Sequence, residues 1–200
     1  MLNVGKALIA VTTVSVAMSM LVGTATANRL AASTQALTAT WTAITFTDSF
    51  GGNFSCPLTL AGSLHSRTIT KVAGALIGFI NRASFGTCNP GSATVLQATL
   101  PWHVRYLGFS GTLPNIGEMF TNVIGAAFRL VSTTGVPCLF TSSAVQPLVV
   151  AFRRGVGGAV TSKGLNGRLT SNEACAFGFR ATMSISGSSS TVTALTITLI

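Results

Sequence analysis

Acidic side chains are nearly absent: three Asp and Glu stand against twelve Lys and Arg in 200 residues. The acids are Asp48, Glu118 and Glu173, and the histidines are His65 and His103. General acid–base catalysis needs titratable groups held together, and these are scattered along the chain. No G-x-S-x-G elbow occurs, so nothing local supports a Ser-His-Asp nucleophile. No C-x-x-C occurs either, which argues against a zinc ribbon or a thioredoxin-type centre. His65 and His103 have no second ligand beside them in sequence, so neither a metal nor another cofactor is expected. The net charge of +9 reflects missing acids, not clustered bases, because only Arg153 and Arg154 are adjacent. A nucleic-acid footprint would be a run or stripe of Lys and Arg. No specific nucleic-acid binding is therefore expected. What remains is a solvated basic surface with a diffuse attraction to anionic envelope polymers.

Long apolar runs are scarce too, with one exception at the start. Met1 to Lys6 is a short basic opening, Ala7 to Gly23 is uncharged and mostly apolar, and Ala25-Thr26-Ala27 places small residues where a signal peptidase reads. This predicts a signal peptide over 1–27, cleaved after Ala27. A retained anchor is the alternative, because the run sits at the bottom of the spanning range of about 17–25 residues. Residues 28–35 read as a loose leader, and residues 36–200 as a single all-β domain, secreted or held in the cell envelope. Four cysteines in an exported chain imply two disulfides, for which three pairings exist. One bridge in each half gives Cys56–Cys88 and Cys138–Cys175.

The segment from Thr99 to Pro114 is the most distinctive. Trp102, Val104 and Tyr106 alternate with His103 and Arg105, the period of a half-buried strand. Its inner face would be aromatic. Residues 36–47 alternate in two phases, which predicts a bulge at Ala43–Ile44 or two short strands. Residues 54–67 alternate well and turn Cys56 inward. Residues 72–85 are apolar on both faces and read as a buried strand. Residues 115–118 read as a turn, and residues 153–158 as a glycine-rich loop carrying Arg153 and Arg154. Residues 159–163 and 165–170 read as a hairpin. In residues 174–186, Cys175, Phe177, Phe179, Ala181, Met183 and Ile185 share the inward phase. Short strands between Gly, Pro, Asn and Ser turns argue for an all-β fold. The expected architecture is a disulfide-linked antiparallel sandwich, or a closed barrel, of roughly eight to ten strands.

The run C-P-L-T-L-A-G-S-L-H from Cys56, then Cys88, then L-P-W-H-V-R-Y and G-F-S-G-T-L-P up to Pro114, resembles a family of small exported bacterial proteins. With the later cysteines the resemblance covers most of residues 28–200. The resemblance implies an exported all-β domain and carries no catalytic role over to this chain. A fainter similarity, carried by a cysteine-bearing T-L-x-G strand, a second cysteine and a later L-P-W, is to exported proteins described as activators of alkane oxidation.

Three functional readings follow. The first is a non-enzymatic exported domain that serves the envelope or binds an extracellular ligand or surface. Its candidate binding residues are Trp102, His103, Arg105 and Tyr106, with aromatics for stacking and Arg for an anion. The plainer account of the same four is a core Trp and Tyr with a solvated His and Arg. The second reading is a small outer-membrane barrel whose outward threonines line a polar lumen. One tyrosine and two tryptophans are few for its aromatic girdles. The third is an enzyme, which requires a pocket joining His103 or His65 to a carboxylate.

Overall fold

The computed structural model describes residues 29–49, 52–112, 115–131, 135, 137–171, 175, 182–189, 191–192 and 195–200. The strands in chain order are β1 (Arg29–Ala32), β2 (Ala36–Asp48), β3 (Asn53–Leu64), β4 (Thr68–Thr70), β5 (Leu76–Phe85), β6 (Ser92–Val95), β7 (Trp102–Thr112) and β8 (Asn115–Ile124). They continue as β9 (Ala127–Val131), β10 (Pro137–Thr141), β11 (Leu148–Arg154), β12 (Val160–Thr170), β13 (Thr182–Ser189), β14 (Thr191–Val192) and β15 (Ile197–Leu199).

Strands β2, β3, β5, β7, β8, β11, β12 and β13 pair in that order, and β13 returns to β2. Every pairing around this ring is antiparallel. The fold is therefore all-β, and of the two expected architectures the strands make the closed barrel, in up-and-down order. The closing register runs from Met183 opposite Asp48 to Ser186 opposite Thr45. Strand β14 extends it, with Thr191 opposite Thr40.

Period-two alternation sends one set of side chains into the ring and the other to solvent. On β2, Ala39, Trp41, Ile44 and Phe46 are buried. The change of phase is a bulge: Trp41 faces Leu58 and Ile44 faces Cys56, which leaves Thr42 and Ala43 both exposed. It begins one residue earlier than expected. From the far side Val123, Val150 and Leu165 also point into one continuous core. Thr38, Thr42, Thr45 and Thr47 are exposed on the outside. They do not line a lumen, and the interior is apolar, the reverse of the inside-polar pattern of membrane barrels.

Two small sheets close the ends. Strands β15, β1 and β4 form one, and its Ala32, Ile69 and Ile197 line a cavity of about 20 Å³ together with Leu37, Met119 and Phe152 of the ring. Strands β10, β9 and β6 form the other. Phe128 of β9 lies 5.4 Å from Phe85 and 5.4 Å from Trp102, both at the opposite rim. Phe46 stacks on Phe54 at 4.9 Å and meets Phe85 edge-on at 5.8 Å, completing an aromatic floor.

Both disulfides join the expected partners, Cys56 with Cys88 and Cys138 with Cys175. They suit an oxidising compartment. Among the described residues no helix is long and apolar enough to cross a membrane. The signal peptide expected over 1–27 lies outside the described residues.

Other expectations change. Residues 29–32 are not a loose leader: they form β1, with Leu30 and Ala32 buried between β15 and β4. Residues 71–75 precede β5 as a loop, and residues 97–99 form a short 3-10 turn ahead of β7. Residues 115–118 open β8, and residues 160–170 are one strand, with Gly164 simply pairing opposite Ala151. Phe177, Phe179 and Ala181 lie outside the described residues, whereas Cys175, Met183 and Ile185 are buried as expected.

Candidate functional site

Strand β7 separates the four candidate residues onto two faces. Trp102 and Tyr106 point inward and are 0% and 2% exposed, whereas His103 and Arg105 stand in solvent. The Trp102 indole N–H donates to Thr99 Oγ1 at 2.9 Å, and its ring meets Phe128 edge-on. The Tyr106 hydroxyl is buried with no hydrogen-bond partner among the described residues, and burial pushes its phenol above the usual tyrosine range.

The outer face assembles around Phe79, a residue the sequence reading did not single out. Phe79 pairs in register with His103, and their rings lie 5.3 Å apart. On its other side the His65 ring lies 4.7 Å away. His65 follows β3 and is held there by its backbone N–H, which donates to the Ile77 carbonyl at 2.9 Å. A row of three rings, His65, Phe79 and His103, therefore crosses from the end of β3 to β7. Next along β7, Arg105 faces Leu76.

Two glycines let this row form. A Cβ on Gly62 would meet the Phe79 carbonyl oxygen, and one on Gly78 would meet that of Ser63, both far inside contact distance. Strands β3 and β5 approach more closely here than any residue with a side chain allows. The register slips between Ala61 and Gly62 and again between Leu76 and Gly78. Those slips turn Phe79 outward within the apolar first half of β5. A run that is apolar on both faces has no readable phase, which is why periodicity missed it.

The electrostatics of this face come from sequence. Between Asp48 and Glu118 there is no acidic residue, while Arg67, Lys71, Arg82 and Arg105 all occur there. Arg67, Arg82 and Arg105 are exposed. Of the two described acidic side chains, Asp48 accepts from the Gly52 N–H at 2.8 Å, and Glu118 pairs with Arg153 at 2.9 Å. The acid-free stretch was the available signal, because it supplies β3, β4, β5 and β7 entirely.

The loop expected to present Arg153 and Arg154 together does not do so. Arg153 is committed to Glu118, and Arg154 donates to the Ile197 and Ile116 carbonyls at 2.8 and 3.1 Å. Among the described residues no group of three His, Cys, Asp or Glu comes together to hold a metal ion. Among the described residues one cavity within the ring is about 50 Å³, lined by Trp41, Leu60, Val104, Thr121 and Val150. That is space for a few water molecules, far below the roughly 300–1,000 Å³ of small-molecule pockets. Compared with protein-family models, curated proteins and solved structures, the chain matches none of them.

Proposed function

We propose that this chain is an exported, non-enzymatic barrel domain that attaches to anionic material of the cell envelope through the outer face of β3, β5 and β7. The observation that carries this reading is the acid-free stretch from Ser49 to Gly117, folded so that Arg67, Arg82, Arg105, His65 and His103 are exposed on or beside three adjoining strands. A surface of one sign attracts its opposite without a shaped pocket. The small interior cavities support the same conclusion, since a ligand is then met on the outside. Export is supported by the leader pattern over 1–27 and by the two disulfides.

Cosedimentation of the protein with isolated envelope fragments tests the reading. Binding should fall at least tenfold between 50 and 500 mM salt, because exposed charges are screened. The Arg67→Glu, Arg105→Glu double variant should lose a similar factor at low salt. Binding that ignores both salt and charge reversal would overturn the proposal.

A further inference from the structure

The anionic partner can be narrowed, and this step rests on the reading above. Among the described residues five large apolar side chains stand well exposed, and three of them belong to one corner of the barrel: Val72 at 59%, Leu76 at 40% and Leu107 at 41%. Backbone hydrogen bonds bring them to the same end of the β5–β7 pair. The Gly74 N–H donates to the Tyr106 carbonyl at 2.8 Å, and the Tyr106 N–H donates to the Ala75 carbonyl at 2.9 Å. The loop carrying Val72 is thereby fastened beside Leu107, and Leu76 starts the strand that follows.

Cations flank this corner. Lys71 Nζ sits 5.8 Å over the Phe109 ring, and Arg105 is the register partner of Leu76. The acid-free stretch contains all of these residues, and the acid nearest in register, Glu118 of β8 opposite Ser110, is paired with Arg153. A soluble anionic polymer would engage the cations and leave the three apolar side chains in water. A bilayer with anionic headgroups engages both, taking apolar tips into the headgroup–acyl boundary while Lys and Arg reach phosphates. We infer that the corner formed by Val72, Leu76 and Leu107, with Lys71 and Arg105 beside it, docks this protein on an anionic lipid bilayer.

The test uses the exported protein with vesicles of phosphatidylcholine alone, with vesicles containing one quarter phosphatidylglycerol, and with polyglutamate beads. Wild type should bind the anionic vesicles and the beads and leave neutral vesicles largely free. A Val72→Ser, Leu76→Ser, Leu107→Ser variant should bind anionic vesicles at least tenfold more weakly and bind the beads as wild type does. A near-ultraviolet circular dichroism spectrum and a urea transition like those of wild type report that the variant has folded. In a separate variant, Leu76→Trp, fluorescence should shift to the blue on anionic vesicles. Equal vesicle binding by the triple variant, or no blue shift, would overturn the apolar insertion. Binding to beads but not to vesicles would overturn the lipid partner and leave the envelope reading standing. Binding to neither would overturn both.

Discussion

Tyr106 shows how one side chain connects burial to a measurable response. It is the only tyrosine, it is 2% exposed, and burial raises its phenol above the ordinary value. In the unfolded chain a tyrosine ionises near pH 10. Below that pH both states are protonated and the stability is fully present. Above it the unfolded chain releases a proton that the folded chain retains, so stability falls until the folded phenol also ionises. Urea midpoints measured from pH 8 to pH 11.5 should therefore decline more steeply for wild type than for Tyr106→Phe. Parallel declines would count against a buried, protonated phenol. Because the chain has one tyrosine, phenolate absorbance follows the same group directly. The inward placement of Trp102 and Tyr106 and the outward placement of His103 and Arg105 were legible in sequence, since strict alternation across five residues leaves one phase. The ring of Phe79 between two histidines was not, because its orientation depends on two register slips and on two glycines, Gly78 beside it on β5 and Gly62 on β3.

The β3–β5 contact is the element on which the outer row depends. At Gly78 an added Cβ would meet backbone, which cannot swing aside, whereas at Gly108 on β7 nothing lies within 4 Å. Gly78→Ala should thus cost roughly 1–3 kcal/mol, the range for overpacking. Gly108→Ala should be neutral or stabilising by up to about 1 kcal/mol, through the unfolded chain. Urea titration of the two variants separates the cases, and equal effects would contradict the close approach. Elements with clean alternation, such as β3 and β7, were legible beforehand. Strand β1 was not: four residues are too short for a period, and burial of Leu30 depends on β15 at the far end of the chain. The continuous β12 was read as a hairpin because a lone glycine looks like a turn until its pairing is known.

For the whole molecule the two disulfides tie covering segments to the barrel. Cys56–Cys88 fastens the loop after β5 to β3, and Cys138–Cys175 fastens β10 to the segment that precedes β13. They close loops with sequence separations of 32 and 37 residues. Each should contribute about 4 kcal/mol in the chain-entropy account. Replacing both cysteines of either pair with alanine should lower the urea-derived stability by that order, and a loss below about 1 kcal/mol would argue that the bridge constrains little. One bridge in each half was legible from cysteine positions. Closure was not, since pairing of β13 with β2 joins residues that lie far apart in sequence and leaves no local mark.

That closure has a consequence for recognition. An open sheet ends in a strand whose backbone donors and acceptors are free, and another chain can add itself there as one more strand. Each of the eight ring strands already has a neighbour on both sides, so the ring has no vacant edge. At the ring a partner must instead read the outward side chains, and the same feature keeps the walls of crowded barrels from zipping together edge to edge.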